Sequence, residues 1–348
     1  MRIAHQKYIS SGIGQIKNLN IQTDGCTGTY LDTLAQLTYG KEKTPKLDGK
    51  EVFSKRARSK WYTQKIVAPL LKLDTPLLKQ YKRAYYECCS ILKQKGRGNM
   101  TSTFYCNSRV CNVCNRIRTA KLMNGYMAQL GDIEKLYFGT LTAPNVPGHL
   151  LKSEIKRYIK DFRYIINKML RQLHGRKGGV KWQGIRKIEC TYNEEENTYH
   201  PHIHFIGGEN SDLIIQCWLK LRQDALPVGQ HLQQANKGSL NELFKYSTKL
   251  ITKSDTEKGT LKVNPVALDT IMQALNRKRT FQPYGIIKQV SEEVGEEEQQ
   301  EYKNLPDHSN MTWIWNEHDW FNIYNEPLTN YTPPNILFEV TPGNTSPP

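Results

Sequence analysis

Long apolar runs are missing from this chain. Nothing approaches the roughly 18 uninterrupted apolar residues that a spanning helix needs, so a membrane span of ordinary type is not expected. The first residues, MRIAHQKYISSG, have no apolar run behind their charge, which argues against a signal peptide. Internal repeats are absent as well. Acidic residues are in short supply, with 33 Asp and Glu against 49 Lys and Arg, a net charge of +16 over 348 residues. Nucleic acid is the commonest polyanion that such a charge serves. Apolar residues still make up 38% and aromatics 10%, enough for a core, which excludes wholesale disorder. The length fits two domains, or one large domain with appendages. Eight cysteines without a secretory signal point to a reducing, cytoplasmic setting, where thiols bind metal or are simply buried. Five of them are crowded: Cys88, Cys89, Cys106, Cys111 and Cys114.

The composition divides the chain into four regions. Residues 1–75 are polar and basic, and 41–60 carry eight Lys or Arg against three acids. This segment suits a flexible arm, a small DNA-contacting element or a solvated linker. Residues 76–130 form a Cys-rich element, and 76–95 read as a helix running into the cysteines. In 131–265, LYFGTLT at 136–142 reads as a strand. Leu151, Ile155, Tyr158, Phe162, Ile165, Met169 and Leu173 then mark one face of an amphipathic helix over 150–173. IRKIECTY at 185–192 and YHPHIHFI at 199–206 read as the strands of a hairpin. Ser211-Asp212 is positioned to cap a following helix, and another helix begins near Ser239. Region 266–348 holds an acidic run, SEEVGEEEQQE, read as a solvated linker. It also holds an aromatic patch with Trp313, Trp315 and Trp320, read as core in preference to a partner-docking surface, and a Pro-rich tail. The order of elements is an α+β pattern with an antiparallel sheet.

His200, His202 and His204 alternate with Pro201, Ile203 and Phe205. Side chains on a strand alternate between faces, so the three imidazoles share one face, close enough for at least two to bind one metal. In a hairpin register that pairs positions summing to 391, Glu189 lies opposite His202 on that face. A slip of one residue would reverse the faces. Two imidazoles and a carboxylate with open positions suit Mn²⁺ or Mg²⁺ as a Lewis acid, with zinc as a further possibility. In SLNELFKYSTKLITK, Glu242 and Tyr246 are four apart and share a helix face, and Lys245, Lys249 and Lys253 flank it. A phenol is a poor nucleophile alone, but a nearby divalent metal and lysines would stabilise its phenolate. Ser239-x-x-Glu242 also reads as a capping box, which gives Glu242 a purely local role.

Taken in order, FGTLTAPNVPG at 138–148, YHPHIHFI at 199–206 and ELFKYSTK at 242–249 resemble the three motifs of the HUH-type rolling-circle replication initiators of small bacterial plasmids. CNSRVCNVCNRIR at 106–118 is similar to the Cys-x4-Cys-x2-Cys run that precedes those motifs. The resemblance spans roughly residues 80–255. It departs from the family pattern in Asn112-Val113, where a proline is often found, and in Ser247 after the Lys-Tyr pair. The resemblance implies a ferredoxin-like or RNA-recognition-like palm, with a central antiparallel sheet and helices on one face. It implies a metal held by His202 and His204, with Glu189 as third ligand and His200 as an outside candidate. Tyr246 would be the single nucleophile on a scissile phosphodiester, leaving a 5′-phosphotyrosyl enzyme and a free 3′-OH primer. Lys249 would add positive charge, and Glu242 would activate water for the last cleavage. Single-stranded origin DNA is the implied substrate, met by a basic groove with aromatics. Host helicase and polymerase are the implied partners.

Cys106, Cys111 and Cys114 supply three thiolates, and Cys88 or Cys89 a fourth, which favours a closed structural zinc site. The family spacing prefers Cys88. Arg116, Arg118 and Lys121 follow, with Lys245 further on, as candidate DNA contacts. One rival reading is a non-enzymatic zinc-containing DNA-binding regulator, which leaves the histidine strand unexplained. A transposase or relaxase is another, but relaxases usually place the tyrosine before the histidines, and such transposases are typically much shorter.

Overall fold

A computed structural model describes residues 48–96, 98–173, 181–244, 260–295, 302–306 and 310–341. Among the described residues, the helices of eight or more residues are α1 (Gly49–Val67), α2 (Asn112–Leu130), α3 (Gly148–Tyr164), α4 (Ser211–Leu221), α5 (Lys237–Phe244) and α6 (Pro265–Leu275). The strands that build the central sheet are β3 (Tyr137–Thr142), β4 (Gly184–Asn193), β5 (Thr198–Gly207), β6 (His231–Gln234) and β8 (Phe281–Tyr284). Their order is β6-β3-β5-β4-β8, and every neighbouring pair is antiparallel. The expected α+β class with a central antiparallel sheet is what the chain adopts.

Strand alternation divides the sheet into two faces with different coverings. Leu141, Ile188, Ile203 and Phe205 point to one face, where they pack with residues of α3, α4 and α6. Phe138, Ile185, Ile206 and Phe281 point to the other, where Leu122 and Tyr126 of α2 and Leu240, Leu243 and Phe244 of α5 cover them. That second face is apolar at one end of the strands only. At the other end it carries Thr140, Thr142, Lys187, Glu189, His202 and His204. The second face is thus partly covered too, beyond the single layer of helices that the resemblance implies.

The amphipathic helix expected over 150–173 forms, with an interruption. α3 runs to Tyr164, a π turn follows at Ile165–Met169, and the last turn is Leu170–Leu173. The extra residue of the π turn rotates what comes after it. Leu151, Ile155, Tyr158, Phe162 and Ile165 are buried as expected, but Ile166 and Leu170 take the inward positions beyond, and Leu173 is exposed.

The cysteine-bearing part has its own core and a small sheet of order β10-β9-β1-β2, from β1 (Ile91–Gln94), β2 (Met100–Ser102), β9 (Thr312–Asn316) and β10 (Asp319–Phe321). The helix expected over 76–95 is therefore half right. It holds through Leu78–Lys82 and a π turn at Arg83–Glu87, but Cys89 takes φ +55° and the chain leaves as a strand. Ile91 pairs with Ile314, and Leu92 with Trp313. Trp313 and Trp320 are fully buried, as core residues. The start of the acidic run is not a solvated linker. Val294 is buried, the Glu292 carbonyl accepts from Arg118 Nε at 2.6 Å, and Asn107 bonds both backbone groups of Val294. Its residues 296–301 lie outside the described residues. Ser211 does not cap α4. It is the first helical residue, and its hydroxyl donates to the Gly208 carbonyl at 2.7 Å.

Gly139 sets the spacing of β3 against β5. It pairs with Phe205, and a Cβ there would stand 2.2 Å from the Phe205 ring. That ring is fully buried between Phe162 and Trp182, so it has nowhere to go. Gly139→Ala is expected to destabilise the fold by roughly 1–3 kcal/mol through overpacking. Thermal unfolding followed by circular dichroism checks this, and an unchanged Tm would show that the ring has room.

Candidate functional site

The β4–β5 hairpin sets the site. Its register places Glu189 opposite His202, Lys187 opposite His204 and Thr191 opposite His200. On the other side of β5, Thr140 of β3 faces His204 and Thr142 faces His202. The register is the one that pairs positions summing to 391.

Hydrogen bonds orient both imidazoles. His202 Nδ1 lies 3.1 Å from the His200 carbonyl oxygen. A carbonyl only accepts, so this nitrogen carries the proton and Nε2 presents its lone pair. His204 Nδ1 lies 3.0 Å from Thr140 Oγ1, and with that hydroxyl as acceptor its Nε2 likewise presents a lone pair. Both Nε2 atoms stand 3.3 Å from Glu189 Oε2. Two lone-pair nitrogens and a carboxylate oxygen facing one another repel, and a divalent cation among them removes the repulsion. Donors that share one ion at about 2.0–2.2 Å stand roughly 3.0–3.5 Å apart, which is the spacing found. The donor set fits a divalent metal with open positions.

His200 is not part of this group. Its Nδ1 bonds Asn145 Oδ1 at 2.8 Å, and its ring stacks on His202 at 5.5 Å. The place given to it as an outside candidate is corrected accordingly: three histidines share the face, but the strand is too extended for one ion to reach all three. Burial and the neighbouring His202 lower the His200 pKa to about 4, and burial lowers that of His204. Burial alone would raise the Glu189 carboxyl, but the Lys187 ammonium beside it works the other way, and the carboxyl is held well below the usual carboxylate range.

Lys187 was missed by sequence reasoning. Its ammonium pairs with Glu189 Oε1, donates to the Glu242 carbonyl at 3.3 Å and lies over the Phe281 ring at 5.7 Å. The signal was available, because Lys187 shares the face of Glu189, and the register that pairs Glu189 with His202 pairs Lys187 with His204. Thr140 and Asn145, which orient His204 and His200, carried no signal beyond their place in the first motif.

Glu242 lies on α5, half-buried and two residues before that helix's last residue. The capping box is not the one expected. Asn236 Oδ1 accepts from Ser239 N at 2.9 Å, and Ser239 Oγ accepts from Asn236 N at 3.3 Å. The reciprocal pair is Asn236-x-x-Ser239, so Ser239 sits inside the first turn and Glu242 has no part in the cap. Lys245, Tyr246 and Lys249 lie outside the described residues.

The cysteine cluster consists of Cys88, Cys106, Cys111 and Cys114, with all four sulfurs within 4.8 Å of one another. Sulfur separations are 3.5 Å for Cys88–Cys114, 3.5 Å for Cys88–Cys111 and 3.8 Å for Cys106–Cys114. A tetrahedral zinc with bonds of about 2.3 Å sets its sulfurs roughly 3.8 Å apart, so four soft donors at this spacing fit a closed structural site. Cys88 is the fourth member. Cys89 is turned away by its positive φ, and its carbonyl accepts from Trp320 Nε1 at 2.9 Å. Burial works against a Cys111 thiolate, but its hydrogen-bond contacts with Cys106, Cys114 and Cys88 hold its pKa well below the ordinary thiol value.

The basic residues after the cluster do not all face outward. Arg118 is buried, and its guanidinium is spent on Glu292 O, Asn115 Oδ1 and Asn107 O, so the expectation that it contacts DNA is corrected. Lys121 donates to Glu293 O at 2.9 Å. Arg116 is exposed, with bonds to Lys55 O and Ser59 Oγ on α1.

The family of replication proteins matches residues 97–207, a span that includes three of the four clustered cysteines and the whole histidine strand. A replication protein, Protein rep, of Staphylococcus aureus is 33% identical over 174 residues, 43% of this chain and 73% of that protein. The chain belongs to the Rep family of replication proteins. A Protein rep of Streptococcus pneumoniae is 26% identical over 229 residues, 58% of this chain and 66% of that protein. One of Lactiplantibacillus plantarum is 25% identical over 248 residues, 62% of this chain and 76% of that protein. No solved structure gives a significant match. The resemblance to plasmid replication initiators drawn from the motif order therefore holds at the level of the family. Among the described residues, no helix is long and apolar enough to cross a membrane.

The two donor sets predict different responses to mutation. Cys111 belongs to the closed set and immediately precedes α2, whose helix covers one end of the second sheet face. Cys111→Ser is expected to lower bound zinc and folded yield together, since metal and fold are linked in such sites. Elemental analysis of the purified variant checks this, and an unchanged zinc content would remove Cys111 from the ligand set.

Proposed function

We propose that this Rep protein starts plasmid rolling-circle replication by nicking single-stranded origin DNA with Tyr246 as nucleophile. The observation that carries this reading is the convergence of Glu189 Oε2, His202 Nε2 and His204 Nε2 at 3.3 Å, beside a helix that leads to Tyr246 in sequence. The phenolic oxygen of Tyr246 attacks the scissile phosphorus. The bond to the 3′ oxygen breaks, and that oxygen leaves as a 3′-OH with the proton that the phenol gives up. The enzyme is left as a 5′-phosphotyrosyl ester, and the 3′-OH serves as primer. A divalent ion such as Mn²⁺ or Mg²⁺ at the Glu189–His202–His204 site would polarise the non-bridging phosphate oxygens where transition-state charge develops. His202 and His204 hold their Nε2 atoms toward that point, and Lys249 adds a positive charge near the reacting phosphate. The Cys88, Cys106, Cys111 and Cys114 set holds a structural zinc, and Arg116 and Lys245 contact DNA. The protein works in the cytoplasm with host helicase and polymerase.

Tyr246→Phe tests the nucleophile directly. It is expected to abolish nicking and the covalent protein–oligonucleotide adduct while leaving DNA binding within a few fold, because only the phenolic oxygen is removed. An adduct formed by the Phe variant would overturn the assignment.

Glu242 is the base that activates water for the final release. With the cap carried by Asn236 and Ser239, Glu242→Gln has no capping penalty to confuse the result. The first nick should stay largely intact, and hydrolytic release should slow by roughly 10²–10⁴-fold, the usual cost of losing a general base. A two-step assay that follows adduct and released product separately reads this, and normal release would place water activation elsewhere.

A further inference from the structure

We infer that Lys187 is a positioning residue that sets the metal affinity of the Glu189–His202–His204 site, by taking one carboxylate oxygen and cancelling its charge. The inference rests on the metal-dependent reading above and adds a residue that the three motifs do not contain.

The geometry assigns the two oxygens of Glu189 to different partners. Oε1 accepts from the Lys187 ammonium, while Oε2 stands 3.3 Å from both His202 Nε2 and His204 Nε2. Lys187 therefore leaves Glu189 a single oxygen for an ion and fixes which one it is. Neither partner meets solvent, because the Lys187 side chain is 1% exposed and that of Glu189 6%. With neutral imidazoles, the four side chains sum to zero charge. A divalent ion entering the site meets no net negative charge, and it meets the ammonium a few ångström away. Such a site binds its ion weakly and lets it exchange.

The ammonium has further contacts. It donates to the Glu242 carbonyl at 3.3 Å and lies 5.7 Å from the Phe281 ring centroid. One side chain thus spans from the metal carboxylate to the helix that carries Glu242.

A merely structural lysine and a charge-tuning lysine make opposite forecasts. If Lys187 only supports the fold, its loss loosens the ligands and weakens metal binding. If it cancels the carboxylate charge, its loss removes a positive charge from beside the buried carboxylate, and binding of a cation tightens. A unit charge near a divalent ion is worth roughly tenfold in affinity even at a water-like dielectric, and more in a buried site.

The experiment titrates zinc-loaded, full-length protein with Mn²⁺ and follows free Mn²⁺ by electron paramagnetic resonance, with no DNA and no activity readout. Lys187→Met keeps the length and apolar stem of the side chain but removes the charge, and its Kd for Mn²⁺ is expected to fall by tenfold or more. Lys187→Arg keeps the charge and should bind within about threefold of the unsubstituted protein. If Lys187→Met folds only when Mn²⁺ is added, that is the same effect read through stability, and it supports the proposal. An unchanged or higher Kd in Lys187→Met, or an Arg variant that behaves like Met, overturns it. His202→Ala separates this from the underlying reading. If the unsubstituted protein has no Mn²⁺ site that His202→Ala removes, the metal-dependent reading itself falls.

Discussion

The antiparallel register of β4 on β5 is the constraint from which the candidate site follows. Ten consecutive pairs run from Gly184 opposite Gly207 to Asn193 opposite Thr198. Because side chains alternate, a shift of one residue would send Glu189 and Lys187 to the face packed by α3, and bring Ile188 and Cys190 to the histidines. What prevents the slip is the apolar set on the opposite face. Ile188, Ile203 and Phe205 are all fully buried against the helices there. Apolar burial on one side of the sheet thus sets the chemistry on the other.

The two donor sets differ in what they would leave open on a bound ion. Four thiols at tetrahedral spacing close around an ion and leave it no open position, which suits a clamp. Two imidazoles and one carboxylate oxygen leave the ion open to a further ligand. The clamp and the open site are also mechanically joined. Cys111 immediately precedes α2 at its N-cap, and Tyr126 near the end of that helix stacks on Phe244 of α5 at 6.0 Å. Phe244 stacks on Phe281 at 5.9 Å, and Lys187 lies over Phe281. A structural zinc would therefore act at a distance by holding the helix against which α5 is seated.

Much of this was legible in the sequence wherever periodicity was strong. The histidine strand, its partner and the inward face of α3 up to Ile165 follow from spacing, while the register between the two strands stays open to a one-residue slip until burial of Ile188, Ile203 and Phe205 decides it. The failures are local and share a cause, since each turns on a backbone feature that spacing does not encode. A π turn rotates the inward face after Tyr164, and a left-handed Cys89 stops the helix at the cysteines. That residue also decides between Cys88 and Cys89, because two successive side chains about such a turn point apart. The start of the acidic run differs from the expected solvated linker because charge suggests solvent, while the backbone of Glu292 and of Val294 is bonded by Arg118 of α2 and by Asn107. Arg118 is the counterpart of that error: a basic side chain beside a metal cluster suggests DNA, yet its donors are absorbed by carbonyls of the protein itself.

The cap of α5 shows how a small local error bears on function. Ser239-x-x-Glu242 and Asn236-x-x-Ser239 are both plausible boxes by spacing, and Asn is as good a cap as Ser. The choice falls to the earlier pair because Ala235 is still held by the sheet, its amide donating to the Leu136 carbonyl at 2.8 Å. The chain leaves β6 at that point, so the first free amides to be capped belong to the residues immediately after it. Starting the helix at Lys237 rather than after Ser239 moves Glu242 from its first turn into its second. There the backbone amides are already satisfied within the helix, so its carboxylate is not drawn to an orphan N–H. Its backbone carbonyl instead meets Lys187, one side chain away from the metal carboxylate. A residue that the sequence left divided between a cap and a catalytic role thus loses the first by the geometry of its neighbours.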